Sequence, residues 1–432
     1  MSAAWTITPP MTAARAQAIA QDFDLRQLPR DFFDNPYPVY ASLREHSPVC
    51  ALPDGSFFLT RHADLISVYR DAKRFCSDKT REFGPKYGPQ AALYEHHTSS
   101  LVFNDPPLHT RVRSIIMGAL TRRAIADMED GLVRLVDDLL DELAARGQGD
   151  LIEDFAASIP VEIIGNLLGV PHADRGPLRG WSLAILGALE PTLTPEQERL
   201  GNDSVVAFKA YLKDLVAERR AHPGDPERDV LTRLIQSKGV SGEVQPLSET
   251  ELLQNCIFLL NAGHETTTNL IGNALITLRE HAEACAPWVQ ALQASAPGSE
   301  QETALLTPAV DEFLRWESSN QLSNRRAVVD TEVGGIAIPA GSNLHLCIGA
   351  ANRDPQAFAN ADHLDLGRSD NKHLAFGFGI HQCAGLSLAR LEGRIAVGRF
   401  LRRFPNYALS AEPQRGGRVR FRGFLSAPFV VG

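Results

Sequence analysis

The stretch HLAFGFGIHQCAGLSLARLEGR (373–394) places one cysteine behind a glycine-rich run and directly before a helical pattern. Three glycines surround Cys383, and His381 stands two residues before it. Glycine adopts backbone conformations that other residues avoid and lets neighbouring groups approach closely. The stretch therefore predicts a tight loop that carries Cys383 to the start of a helix. Taken alone, it is also compatible with an ordinary buried thiol after a turn.

The composition is that of a globular protein, with 44% hydrophobic and 22% charged residues in 432. No internal repeat or long linker is apparent, so a single domain over 1–432 is the simplest partition, with 1–20 as a loose N-terminal segment. The formal net charge of -9 argues against nucleic-acid binding, which requires a basic surface. Neither a run of about 18 apolar residues nor a signal-peptide pattern appears, so no membrane association is expected.

The six cysteines are scattered along the chain without a CxxC pair. This pattern is typical of reduced thiols in the cytoplasm and argues against a disulfide framework or a zinc site. We expect one of them, Cys383, to have a special role. The other five are expected to be core thiols: Cys50, Cys76, Cys256, Cys285 and Cys347.

Helical periodicity covers most of the chain. Apolar residues recur at three- and four-residue steps in 129–147, 161–170 and 204–222. Strand patterns are short and few, and they occur in 56–61, 332–348 and 418–431. The sequence therefore predicts a fold that is mainly α with minor β.

The longest predicted helix begins after Ser248, which with Glu251 forms a capping-box pattern. It runs for about thirty residues, or roughly 45 Å. Its middle reads NAGHETTTN (261–269), where glycine and threonine lower the helix propensity. A local rule broken in mid-helix often marks a functional site.

Four separated motifs now point in one direction. FGFGIHQCAG (376–385) matches the pattern Phe-Gly-x-Gly-x-His-x-Cys-x-Gly at every fixed position, and AGHET (262–266), EFLR (312–315) and LHTRVR (108–113) accompany it. In this order and spacing the chain resembles a soluble bacterial cytochrome P450, a class I haem-thiolate monooxygenase. The resemblance implies the cytochrome P450 fold, a triangular, helix-rich single domain with small β-sheets and a buried haem b.

The resemblance implies that Cys383 is the axial ligand of the haem iron. A thiolate in that position pushes electron density toward the opposite ligand and favours O–O cleavage. The start of the following helix can stabilise its charge. Gly377 permits the tight turn, Gly385 lets the helix approach the macrocycle, and Phe376 shields the sulfur side of the ring.

Further haem contacts are implied at four cations or donors suited to carboxylates. These candidates for the propionates are His109, Arg113, Arg325 and His381. The resemblance also implies a buried structural cluster of Glu312, Arg315 and Arg368 on the cofactor side.

The middle of the long helix is the expected site of O₂ handling. A threonine hydroxyl can bond to the carbonyl four residues back and bend a helix. Thr266 is therefore expected to open a groove near Ala262, where O₂ and water bind. The resemblance implies that Glu265 and Thr266 act as catalytic residues that relay protons through water. His264 is expected to point elsewhere.

The substrate pocket is expected at the same helix and at two distant segments. Its candidate residues are Asn261, Ala262, Asn320, Leu322 and the hairpin turn at Phe424 and Leu425. Polar residues in 318–324 and 80–100 favour a small or medium substrate with hydroxyl or carboxylate groups. That these side chains simply face water remains an equal alternative.

The implied reaction is insertion of one oxygen atom from O₂, as hydroxylation or oxidative dealkylation. Electrons are expected from NAD(P)H through a separate ferredoxin reductase and ferredoxin, since no flavin or iron–sulfur module is apparent. Candidate docking cations are Arg122, Arg123, Lys372 and Arg390. A peroxygenase, another haem-thiolate enzyme such as a nitric oxide reductase, or a haem sensor or carrier remain alternatives, which the Glu265–Thr266 pair disfavours.

Overall fold

The computed structural model describes residues 12–226, 229–239, 242–243 and 245–432. Helices dominate this part of the chain, as predicted. In chain order they are α1 Ala13–Asp22, α2 Arg30–Asp34, α3 Tyr37–His46, α4 His62–Arg70, α5 Thr80–Tyr87, α6 Ala92–Ser99, α7 Leu108–Ala119, α8 Arg122–Ala126, α9 Glu129–Arg146, α10 Ser158–Leu167, α11 Leu178–Gly187, α12 Pro195–Ala221, α13 Val230–Ile235, α14 Glu249–Glu280, α15 Ala282–Ala294, α16 Glu300–Trp316, α17 Ile348–Ala351 and α18 Leu386–Arg403.

The strands are short, as the sequence predicts. They are β1 Val49–Ala51, β2 Phe57–Leu59, β3 Phe75–Cys76, β4 Gln148–Asp150, β5 Lys238–Gly239, β6 Gly242–Glu243, β7 Leu322–Ala327, β8 Thr331–Val333, β9 Ile336–Ile338, β10 Asn343–Cys347, β11 Ala408–Leu409, β12 Gln414–Arg415, β13 Phe424–Ser426 and β14 Pro428–Val430. The largest sheet has the order β1-β2-β10-β7-β3, in which β2 and β10 are parallel and the other pairs antiparallel. A three-stranded sheet has the order β11-β14-β4.

Helix α14 is the central rod of the fold. Its predicted capping box is confirmed: the Glu251 N–H donates to Ser248 Oγ over 3.2 Å, and the Ser248 N–H donates to Glu251 Oε2 over 2.8 Å. The N-terminal half of α14 contributes to the hydrophobic cluster around α7, α11 and α12, and its C-terminal half to the cluster of α9, α16 and α18. Because α14 is buried in two clusters, its middle lies deep in the molecule.

Large side chains stabilise the contact between α14 and α18. Leu275 of α14 and Phe400 of α18 are fully buried in the same cluster, beside Phe313 of α16. Burying one such side chain stabilises a fold by about 1.5–3 kcal/mol. This packing fixes α14 relative to α18, and therefore relative to the cysteine loop that precedes α18.

Two helix starts differ from the predictions. Helix α12 begins at Pro195, because Thr194 and Gln197 form a capping box well before the predicted start at 204. Residues 13–20, predicted to be loose, lie in α1, where Ala16 and Ala20 are buried. Residues 1–11 lie outside the described part of the chain.

Four of the predicted core thiols are buried, and their positions support that interpretation. Cys50, Cys256, Cys285 and Cys347 are buried, whereas Cys76 on β3 is half-buried. In the described ranges, no three or more His, Cys, Asp or Glu side chains are grouped as a metal site. No described helix is both long and apolar enough to cross a bilayer.

Candidate active site

The cysteine loop between residue 374 and α18 is shaped by glycine. Gly377 and Gly379 have positive φ values of 64° and 76°, which favour glycine over other residues. A side chain at Gly379 would also clash with the carbonyl oxygen of Tyr69. The Cys383 N–H donates to the Phe376 carbonyl over 2.9 Å and closes the loop. The loop thus presents Cys383 immediately before the first turn of α18.

The surroundings of Cys383 combine open space with positive charge. The residue is exposed, yet protein atoms crowd it enough that desolvation raises the pKa of its thiol. We therefore take the exposed surface of Cys383 to border an internal space. The Gly385 N–H and the guanidinium groups of Arg113 and Arg390 oppose the rise in its pKa. Nothing lies within 4 Å of the position that a Gly385 side chain would take, so a flat group has room beside the sulfur.

The four propionate candidates lie close together beside this loop. The rings of His109 and His381 are 4.1 Å apart, and Arg113 donates to the Gln382 carbonyl over 2.7 Å. Arg325 stacks on Tyr69 at 5.2 Å. In the described part of the chain, no carboxylate pairs with either arginine.

The electrostatics of this group favour an anionic ligand. His109 is 2% exposed, and neither of its ring nitrogens has a partner. Burial and the positive neighbours His381 and Arg113 lower the pKa of His109 to about 4. Two arginines and an orphaned histidine suit the two carboxylates of a haem, so the residues present fit the haem that the resemblance implies.

Two residues that the sequence did not single out orient His381. Its Nε2 lies 3.1 Å from Ser77 Oγ and 3.9 Å from Asp105 Oδ1. Asp105 in turn accepts the Ser77 and Asp78 N–H groups. Asp105 stands directly before the Pro-Pro pair that precedes α7. Its hydrogen bond with Ser77, 28 residues earlier in the chain, can be seen only in the structure.

The middle of α14 has the predicted local geometry. Thr266 Oγ1 donates to the Ala262 carbonyl over 2.8 Å. Both residues are half-buried, while most of their neighbours on α14 are fully buried. Gly263 lies against Ile164 of α10, where any side chain would clash. The half-buried face of α14 therefore carries Ala262 and Thr266.

Glu265 is buried and paired with a residue that the sequence did not identify. It is 6% exposed, and its Oε1 forms an ion pair with Arg418. Its Oε2 has no partner. Burial raises the pKa of Glu265, and Arg418 opposes that rise. Arg418 lies 153 positions further along the chain, so no local pattern could have indicated the pair.

A small, partly open cavity adjoins this ion pair. Glu265, Arg418, Phe424 and Leu425 line it together with His264. His264, which we expect to point away from the Thr266 groove, lines a pocket that contains neither Ala262 nor Thr266, and both of its ring nitrogens are buried without a partner. Phe424 and Leu425 lie on β13, not in a hairpin turn, because the turn precedes them in 416–423.

The remaining pocket candidates lie in different surroundings. Asn261 is 2% exposed, and neither amide atom has a partner. Asn320 forms an isolated β-bridge with Phe421. Leu322 packs in the hydrophobic cluster that contains Tyr40 and Cys347, so the prediction that it lines the pocket is wrong. The alternation of β7 turns its side chain toward the N-terminal helices.

Glu312, Arg315 and Arg368 form one buried network. Arg315 donates to both Glu312 oxygens over 2.8 Å, and Arg368 Nε donates to Glu312 Oε2 over 3.0 Å. Glu312 and Arg315 are fully buried. Arg315 also donates to the carbonyls of Asn352, Ala361 and His363, so the network fastens the segment before the cysteine loop to α16.

Two of the candidate docking cations are engaged in ion pairs. Arg390 contacts Asp311 over 2.7 Å, and Lys372 contacts Asp370 over 3.1 Å. Arg123 is exposed, and the side chain of Arg122 lies outside the described residues.

Comparison with known proteins agrees with this geometry. The family model "Cytochrome P450" matches residues 184–415. The biotin biosynthesis cytochrome P450 of Bacillus subtilis is 33% identical over 386 residues, which cover 88% of this chain and 92% of the relative. The vitamin D(3) 25-hydroxylase of Pseudonocardia autotrophica is 36% identical over 383 residues, with 88% and 89% covered.

Solved structures match over nearly the whole length. A crystal structure of P450BioI in complex with acyl carrier protein ligated with hexadec-9Z-enoic acid has a TM-score of 0.84 and 31% identity, and covers 93% of this chain and 100% of that one. CYP109E1 from Bacillus megaterium in complex with testosterone has a TM-score of 0.82 and 27% identity, with 94% and 100% covered. Motif, fold and relatives agree, and the chain belongs to the cytochrome P450 family.

Proposed function

We propose that Cys383 is the axial ligand of the haem iron in this cytochrome P450, and that Glu265 and Thr266 manage the protons of its reaction. As a family member the chain is a haem-dependent monooxygenase, an oxidoreductase. Bound haem b supplies activation of O₂, so that one oxygen atom enters an organic substrate while electrons derived from NAD(P)H reduce the other to water. The observation that carries the residue assignment is the position of Cys383 beside open space, before α18.

The environment of Cys383 supports a ligand role. An axial thiolate must stay deprotonated, and the Gly385 N–H, Arg113 and Arg390 favour the charged form. The Phe376 carbonyl holds the Cys383 backbone, and Gly377 supplies the turn. These contacts orient the sulfur before any ligand binds, which lowers the cost of organising the site.

The four clustered cations and donors would hold the propionates. Arg113 and Arg325 would donate to the carboxylates, and His109 offers two ring nitrogens that have no other partner. His381 is oriented for the same task by Ser77 and Asp105. We assign Ser77 and Asp105 as positioning residues.

Thr266 and Glu265 have complementary roles in the proposal. The Thr266 hydroxyl proton is used by the Ala262 carbonyl, so Oγ1 presents lone pairs that accept a hydrogen bond from water. Glu265 keeps one unpaired oxygen, Oε2, which can carry and release a proton. Burial raises the pKa of Glu265, which favours a carboxyl group that can take up a proton for transfer, and Arg418 opposes that rise. Water in the adjoining cavity would resupply it from solvent.

We propose further that the reaction is hydroxylation or oxidative dealkylation, with electrons delivered by a separate ferredoxin and its reductase in the cytoplasm. A ferredoxin would dock on the face of Arg123, Lys372 and Arg390. The relatives differ widely in what their names describe, from biotin biosynthesis to vitamin D(3) hydroxylation. The substrate of this chain must therefore be inferred from its own pocket residues. The unpaired amide of Asn261 favours a substrate with a polar group.

The decisive experiment compares wild-type protein with C383S. Wild-type protein, reduced and exposed to CO, should show the long-wavelength band of a thiolate-ligated haem, and C383S should lose it. C347S is the matched control, because Cys347 is a buried core thiol. Survival of the band in C383S would overturn the ligand assignment. Turnover of a spin-shifting substrate with NADH, O₂ and a generic ferredoxin pair tests the source of electrons.

A further inference from the structure

The loop that follows α11 is fastened by two cations from distant parts of the chain. Lys86 Nζ on α5 donates to the carbonyls of Ala188 and Glu190 over 3.0 and 2.7 Å. Arg420 Nε donates to the Leu189 carbonyl over 2.6 Å. Both cations therefore converge on the three consecutive residues 188–190.

Neither cation has a carboxylate partner. In the described part of the chain, no acidic oxygen lies within 4.0 Å of Lys86 Nζ or of the Arg420 guanidinium. The nearby Glu190 carboxylate instead accepts the N–H groups of Val419 and Arg420, over 2.9 and 3.1 Å. The second arm of Arg420 donates to Asn324 Oδ1 over 2.6 Å. Both charges are thus held by neutral groups: oxygen atoms for both cations, and for Lys86 also the rings of Tyr87 and Phe83 at 5.1 and 6.0 Å.

The wider cluster carries an excess positive charge. Lys79, 3% exposed, pairs with Glu82 over 2.6 Å on the same face as Lys86. Three cations (Lys79, Lys86 and Arg420) stand against two carboxylates (Glu82 and Glu190), which leaves one positive charge. Burial and the proximity of Arg420 lower the pKa of Lys86 to about 8. Lys86 and Arg420 are half-buried, and a cation that is partly removed from water is stabilised by a paired anion.

The cluster lies next to the candidate active site. The Arg420 carbonyl accepts the Gln321 N–H over 2.7 Å, and Asn324, which binds Arg420, precedes the propionate candidate Arg325. His97 adds an independent observation: it is 2% exposed, its Nε2 has no partner, and its ring is 5.8 Å from that of Tyr87, the neighbour of Lys86. An unpartnered buried donor or acceptor therefore accompanies the two unpaired cations.

We propose that Lys86 and Arg420 form a binding subsite for the carboxylate group of an organic acid substrate. This inference rests on the proposed monooxygenase function and specifies the substrate class. A carboxylate would replace the carbonyls of residues 188–190 as ligand of both cations, and a hydrogen bond between two charged groups is stronger than one to a neutral carbonyl. The acid would thereby release the loop that covers the subsite, and its carboxylate group would be bound by Lys86 and Arg420.

The competing role for the two cations is to fasten the loop, with no part in recognition. The two roles separate when each acid is compared with its methyl ester, because the ester has nearly the same shape and no charge. Loss of a loop fastener changes access for acid and ester alike. Loss of a carboxylate ligand weakens only the acid.

The test uses haem-loaded protein and three acids, benzoate, phenylacetate and dodecanoate, each beside its methyl ester. Dissociation constants come from calorimetry and from the haem spin shift. At least one acid should bind wild-type protein about tenfold or more tightly than its ester, and K86Q and R420Q should each weaken that acid by about tenfold or more. Binding of the ester should stay within about threefold. R81Q is the matched control, because Arg81 is exposed on the same helix.

Each result decides the proposal. Equal losses for acid and ester, or no acid preferred over its ester, would overturn it. The CO spectrum and thermal unfolding show whether R420Q folds. If it does not, K86Q and R420K are used instead, and R420K should keep most of the preference for the acid over its ester. If the protein shows a thiolate CO band but does not prefer any acid over its ester, the proposed haem-thiolate function stands and the carboxylate subsite is wrong.

Discussion

Glu265 and Arg418 form a buried ion pair between the middle of α14 and the segment that leads into β13. Both side chains are mostly buried, at 7% and 17% exposure. The pair therefore couples the proposed proton donor to a segment that also lines the adjoining cavity. Its strength determines how readily the carboxyl group changes its protonation state.

The first prediction concerns this coupling. R418M should lower the free energy of unfolding by about 2–4 kcal/mol, because it leaves a buried carboxylate without its partner. The double variant E265Q/R418M should recover part of that loss, with a coupling energy of about 1–3 kcal/mol. Urea denaturation of wild type, both single variants and the double variant measures it. Additive effects within about 0.5 kcal/mol would show that the two residues do not interact.

A second prediction separates two threonines on α14. T266A should still bind haem and substrate, but product per NADH should fall by about tenfold or more, with the electrons appearing in hydrogen peroxide or water. T268A is the matched control, since Thr268 donates to the His264 carbonyl over 3.0 Å in the same way as Thr266 to Ala262. Product and peroxide are quantified against NADH consumed. Equal coupling in T266A and wild type would contradict the proposed role of Thr266.

Neighbouring carboxylates on α16 give a third prediction. E312Q should destabilise the fold by about 3–5 kcal/mol, because it leaves the buried Arg315 and Arg368 short of negative charge. D311N should cost about 1 kcal/mol or less, because the Asp311–Arg390 pair is partly exposed. Denaturation curves of the two variants measure the difference. Similar losses of unfolding free energy in E312Q and D311N would show that burial does not determine how much these ion pairs stabilise the fold.

The features that local sequence patterns predicted without the family resemblance are those with local chemistry. The capping box of Ser248 and Glu251 lies within four residues, and the glycines of the cysteine loop are dictated by the turn itself. The bond from Thr266 to Ala262 follows from helix geometry alone. Such features could be predicted because each is determined by a few neighbouring residues.

The features that escaped prediction depend on contacts between distant segments. Arg418 reads as an ordinary strand residue, and only the packing of its segment on α14 brings it to Glu265. Leu322 stands in a polar segment, but the register of β7 against β10 pairs it with Cys347 and turns it into the N-terminal core. Helix α1 has little apolar character of its own and is stabilised by α3 and the cluster it joins. Tertiary packing, which a single sequence does not display, decides all three.

The last prediction concerns acid stability and His345 on β10. Burial and the nearby cation Arg420 lower the pKa of His345 to about 3 in the folded protein, against 6.5 for a free histidine. Below pH 6.5 the unfolded chain therefore binds a proton that the folded protein does not, so stability falls as the pH drops toward about 4. One such group contributes up to about 1.4 kcal/mol per pH unit. Wild-type protein should lose about 3 kcal/mol more than H345Q between pH 6.5 and 4.

Urea denaturation of both proteins over this pH range tests the expectation. H172Q serves as control, since the His172 side chain is 83% exposed and should leave the pH profile of wild type unchanged. Parallel profiles for wild type and H345Q would contradict the prediction, because they would require His345 to take up its proton equally in the folded and unfolded states. A steeper profile for wild type would show that His345 stays neutral in the folded protein while the unfolded chain takes up the proton.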